Sequence, residues 1–203
     1  MRNYVRVLAV AGLALWAAPA SAKTVNTEFK TDLDPCCAAP ADDNGGSAEY
    51  KKQVANGTTT KQERFRAQAR IELPSAALGL ATVADAEAAD VRVILTRASV
   101  DYAECSLVMV DTDQETELED GELVVKTEAE FLVDVRNILR KGSLLPRNLV
   151  GACDTDLATP GIQDGVPVVQ AGDVATVTLV DPTEAAVDTA SRTLDKDFLQ
   201  GTF

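Results

Sequence analysis

The chain has no histidine, and that absence removes more chemistry than any motif in it supplies. Ser-His-Asp and Cys-His catalysis, as usually built, need an imidazole. Transition-metal sites lose their commonest ligand. Aromatics are scarce too. Tryptophan occurs once, at Trp16, inside an N-terminal stretch with the marks of a leader. Beyond it stand Phe29, Tyr50, Phe65, Tyr102, Phe131, Phe198 and Phe203, too dispersed to make a flat stacking platform for sugars or bases. Basic residues are the minority: 19 Lys and Arg face 32 Asp and Glu, for a formal net charge of −13. Such a chain repels phosphate backbones, which argues against a nucleic-acid partner. It also disfavours anionic membrane surfaces. The acidic excess serves solubility, with a cationic partner as the sharper alternative.

Long apolar runs are missing as well. The strongest, residues 8–18 (LAVAGLALWAA), is well short of the roughly 20 residues that span a bilayer. Arg2 and Arg6 precede it, and Ala20-Ser21-Ala22 follows as a small-x-small cleavage site. This order predicts a signal peptide over 1–22, a mature start at Lys23, and export to the periplasm or the extracellular space. No cysteine follows the site to take a lipid anchor, and no membrane insertion is expected.

Cys36, Cys37, Cys105 and Cys153 remain. An even count in an exported chain predicts disulfides. Zinc is disfavoured, because no C-x-x-C pair and no histidine complete a site. Adjacent cysteines pair poorly across one peptide bond. The expected map is Cys105–Cys153, with Cys36 and Cys37 as a strained vicinal pair or bonded outside the chain. The alternative has that pair capture Cys105 and Cys153 separately.

Patterning is strand-like. Residues 102–110 (YAECSLVMV) place Ala103, Cys105, Leu107 and Met109 on a core face and Tyr102, Glu104, Ser106, Val108 and Val110 on the other. Phe65, Ala67, Ala69, Ile71 and Leu73 alternate with Arg64, Arg66, Gln68, Arg70 and Glu72. Asn56-Gly57 ahead of them predicts a hairpin turn. Asn56-Gly57-Thr58 also fits a glycosylation acceptor, though the turn already explains it. A short helix is expected over 82–89, and further strands at 91–96, 129–138 and 174–179. Residues 144–167 read as irregular, and 183–194 fit helix or strand equally. The run 170–179 (QAGDVATVTL) resembles a late strand of immunoglobulin-like extracellular modules. The expected fold is mainly β: an antiparallel β-sandwich, immunoglobulin-like in broad architecture, with at most one or two short helices. A signal peptide (1–22), an arm (23–47) and the sandwich (48–203) are the expected divisions.

Two charge clusters stand out. Lys51, Lys52, Lys61, Arg64, Arg66 and Arg70 form a basic patch, expected as a solvated strand face. Residues 111–122 (DTDQETELEDGE) hold seven acids. Read as a calcium loop, they put Asp111, Asp113, Glu115, Glu117, Glu119 and Glu122 at ligand positions, but Thr116 occupies the obligatory glycine position. A solvated hairpin tip is expected instead, with a calcium-stabilised adhesin-like domain as the alternative. Asp154 to Asp156 cannot join it: with Cys105 bonded to Cys153, they would face Tyr102 to Glu104, about 20 Å away. No spacing marks an acid and base pair, and no nucleophile elbow or phosphate loop is present. The expectation is a non-catalytic module with a binding or structural role and no cofactor, whose partner is an unknown protein or envelope component. A carboxylate-based hydrolase is the further alternative.

Overall fold

The computed structural model describes residues 23–37, 44–119, 122–157, 165–181 and 195–203. The stretch 1–22, expected as a signal peptide, and the stretch 183–194 lie outside the described residues.

Alternation builds the staves. β1 (Thr24–Pro35), β2 (Gly45–Ala55) and β3 (Thr59–Leu73) form a meander. Asn56 and Gly57 both take positive φ (56° and 74°) in the β2–β3 turn, as the Asn-Gly pair predicts, within a loop that closes Ala55 against Thr59. β4 (Val91–Arg97), β5 (Val100–Glu119) and β6 (Glu122–Arg140) form a second meander. Between the two meanders lies α1 (Val83–Ala88), whose N-cap Thr82 and Asp85 make a reciprocal capping box. β7 (Ser143–Val150), β8 (Ala152–Asp154), β9 (Val174–Leu179) and β10 (Lys196–Thr202) complete the chain. β7 corrects the irregular reading of that segment.

The sheet is not a sandwich. Eight strands close into an antiparallel barrel in the order β1-β2-β3-β6-β5-β4-β9-β10, and β10 returns to β1. A sandwich and a barrel both need one apolar face per strand, so alternation cannot separate them. Edge pairing does. β3 meets β6 continuously from Gln62↔Ile138 to Leu73↔Thr127, which joins the two meanders into one surface. Strands this long twist and curl, and an eight-stranded closure leaves a lumen that side chains fill. Small residues make that filling possible with few aromatics: Ala48, Ala67, Ala69, Ala103, Ala129 and Ala175 line the core around Tyr50, Phe65, Phe131 and Phe198.

Two seams are uneven. β1 pairs with β10 only at Asp34↔Gln200 and Pro35↔Leu199. A Cβ on Gly201 would lie 2.2 Å from the Asp32 carbonyl oxygen, so the two strands need glycine there. The β5–β6 seam opens at one end, where the edge of β6 takes β7 and the edge of β5 takes β8. Gly151 makes the step between them at φ +65°, with a would-be Cβ 2.3 Å from the Ser106 carbonyl oxygen.

Candidate functional site

The disulfide lies on the lumen side. β8 brings Cys153 directly opposite Cys105, and the two sulfurs are bonded at 1.99 Å within the core cluster. Glu104 faces Asp154, the register the cysteine pairing requires.

Among the described residues the acidic tract is paired strand rather than a free loop, running from Asp111↔Glu130 to Glu119↔Glu122 at the far end of the β5–β6 hairpin. Because β3 stops at Leu73, opposite Thr127, the end of this pair projects beyond the barrel as a two-stranded ribbon. One face of it carries Asp111, Asp113, Glu115, Glu128 and Glu130, with Lys126 among them; Lys126 reaches Glu72 at 3.3 Å. The other face exposes Leu123 and Val125. Asp111 sits opposite Glu130 and Asp113 opposite Glu128, like charges that repel across the pair. Strand geometry spaces same-face carboxylates about 7 Å apart along the chain, so they do not converge as a calcium loop converges its ligands. No group of three or more Cys, Asp or Glu suited to a metal ion occurs among the described residues.

The basic patch is divided by the pleat. Lys52 turns inward with Tyr50 and pairs with the buried Glu63 at 2.7 Å, while the Tyr50 hydroxyl donates to Glu63 at 3.4 Å. Burial, then the Glu63 charge, pushes the Tyr50 phenol above its ordinary range. Lys51, Arg64 and Arg66 face outward. Register adds two residues that no local pattern linked to them: Lys51↔Arg64, Arg64↔Arg136 and Arg136↔Arg147 form a basic row across four strands. The row is partly neutralised. Arg64 grips Asp134 with two hydrogen bonds of 2.8 and 2.5 Å, and Lys51 sits 2.7 Å from Glu49 and 3.4 Å from Glu28. The Arg136 Nε, 3.6 Å from Asp134, is buried without a hydrogen-bond partner among the described residues.

A third cluster escaped sequence reasoning altogether. Asp173, 2% exposed, receives two 2.8 Å bonds from Arg97, one of 2.8 Å from the Tyr102 hydroxyl and one of 2.8 Å from the Gln170 amide. Arg97 also donates to the Val168 carbonyl and lies over the Tyr102 ring at 4.6 Å. Burial pushes the Asp173 carboxyl up, yet these donors overcome it and hold the acid below its ordinary range. The turn at 171–173 was legible, but its partners are more than 70 residues distant in the chain.

The buried carboxylates among the described residues are thus Glu63, Asp134 and Asp173, and each is engaged by a cation. Two open concavities, of about 290 and 450 Å³, are bordered mainly by polar and charged residues. One is bordered by Asn26, Glu28 and Lys52, the other by Ser47, Arg70 and Glu128. Fold and surface together define an antiparallel β-barrel with an apolar, disulfide-bearing core, a charged exterior and a projecting acidic ribbon. No protein-family model, curated protein or solved structure matches the chain.

Proposed function

We propose that this chain is a non-catalytic binding module of the periplasm or extracellular space, and that its contact surface is the β5–β6 ribbon. The observation that carries the reading is the ribbon itself. It leaves the barrel with an acidic face, an exposed Leu123–Val125 face, and outer edges unpaired among the described residues. Unpaired strand edges bind extended segments by main-chain hydrogen bonds. Carboxylates steer a basic partner toward them. The repulsion across the ribbon costs stability in the free protein, and a cationic partner relieves it. The ion pairing of the three carboxylates buried among the described residues supports a structural rather than acid–base role for them. The leader pattern and the disulfide support export.

The test is binding of a lysine-rich peptide by calorimetry, comparing two variants that lose equal charge. Asp113→Asn with Glu115→Gln weakens binding several-fold and reduces its salt dependence. Asp32→Asn with Asp34→Asn, on the exposed face of β1, changes it far less. Equal losses from both pairs reduce the interaction to net charge and defeat the proposal.

A further inference from the structure

We propose that Cys36 and Cys37 form a reversible vicinal thiol–disulfide couple that exchanges with low-molecular-weight disulfides. It is a modification site separate from the Cys105–Cys153 bond. The Cys37 sulfur lies 2.7 Å from the Cys36 sulfur, inside ordinary contact between unbonded sulfurs. The backbone creates this approach. Cys36 is tied to β10 by its amide, which donates to the Phe198 carbonyl at 2.9 Å. Cys37 then turns at φ 59°, in the left-handed region, and brings its side chain back over its neighbour. Cys36 is half-buried and Cys37 exposed, so one sulfur is open to a solution disulfide and the other stands behind it.

The exchange balances without any further reactant. The Cys37 thiolate attacks one sulfur of a disulfide such as oxidised glutathione and expels the first glutathione thiolate. Cys36 gives its proton to solvent and displaces the second, forming the Cys36–Cys37 bond. Two protein thiols are oxidised and one external disulfide is reduced to two thiols. Burial, with Cys37 and Asp197 beside it, pushes the Cys36 thiol up to about 12. The reaction therefore opens at Cys37, and ring closure is the slower step that base accelerates.

Reversibility follows from geometry. A bond between adjacent cysteines closes a small ring through the peptide that joins them, which has to distort to admit it. The resulting eight-membered ring is strained and accessible, the condition of labile rather than structural disulfides. Cys105 and Cys153 are both buried and retain their bond.

The experiment equilibrates the full chain in a series of reduced-to-oxidised glutathione ratios, quenches with acid, alkylates, and maps peptides by mass. The expected result is one two-electron transition at residues 36–37, with Cys105–Cys153 unchanged throughout. Cys36→Ser traps glutathione on Cys37, and raising the pH speeds ring closure in the wild type. A glutathione adduct that persists on the wild type, disulfide-linked dimers, or bonds from Cys36 or Cys37 to Cys105 or Cys153 would each overturn the proposal. The wild-type measurement stands even if a variant folds poorly.

Discussion

Asp173 shows how much a single side chain can organise. It collects Arg97 from the end of β4, Tyr102 from the start of β5 and the turn before β9, and its own carbonyl accepts from the Phe203 amide at 2.9 Å. Removing one partner of a buried charged network leaves the other charge desolvated and uncompensated, a loss of about 3–5 kcal/mol. Asp173→Ala is expected to fall near the lower end, because Arg97 is part-exposed and regains water. Urea denaturation checks this. The acid limb of stability has a definite sign. Asp173 and Asp134 have folded pKa values below their ordinary ones. Their contribution is therefore complete above the unfolded carboxylate pKa of about 4, and is lost as pH falls through the folded values. Unfolding free energy should decline steeply below about pH 4, with a shallower decline in Asp173→Ala. Equal slopes would show that the hub does not titrate as its contacts require. At this scale the sequence showed Tyr102 on the non-core face of its strand and a turn at 171–173. Nothing local joined them, because the bonds cross between strands whose neighbourhood is set by barrel order.

Among the elements, β7 and β8 differ most from their local sequence. LLPRNLV carries a proline, exposes Leu144, Leu145 and Leu149, and does not alternate like a core strand. It is strand because β6 offers an edge there, not because its own side chains demand one. The step from β7 to β8 depends on Gly151. Alanine at that position meets both a positive φ and a backbone oxygen, so Gly151→Ala should lose roughly 2 kcal/mol or more. Gly45→Ala is the control: no atom lies within 4 Å of its would-be Cβ, and a change within about 0.5 kcal/mol is expected. Matched denaturation curves decide it, and similar losses in both would place the constraint elsewhere. Where elements were legible, the reason is local. Thr82 and Asp85 begin a helix by satisfying its first amides. Asn56-Gly57 turns because asparagine and glycine tolerate positive φ, and Gly142 supplies the second positive φ after Lys141 at 49°.

For the whole molecule, charge and closure oppose each other. A net charge of −13 and like-charged pairs across the ribbon push the native state apart, while the engaged arginines sit in partly buried pairs that salt screens less. Raising sodium chloride from about 0.01 M to about 0.15 M should therefore raise the melting midpoint. A falling midpoint would mean that surface ion pairs dominate. Calcium chloride at matched ionic strength should give the same shift, because the ribbon spreads its carboxylates along two strands. A calcium-specific rise, reversed by chelator, would restore a metal role through mass action.

The sequence by itself determined what depends on near neighbours: the faces of each strand, the glycine turns, the helix cap and the separation of a basic from an acidic stretch. The Cys105–Cys153 pair was also within its reach, because an even cysteine count left few partners. Only the tertiary structure decided that these faces enclose a lumen rather than meet as two layers. It also showed that the acidic stretch is a paired ribbon, and that Arg136 and Arg147 extend the basic row. Alternation specifies which side of a strand is apolar, while closure depends on which edges meet. Edge pairing is made by backbone groups that every residue except proline carries alike, so no side-chain pattern announces it.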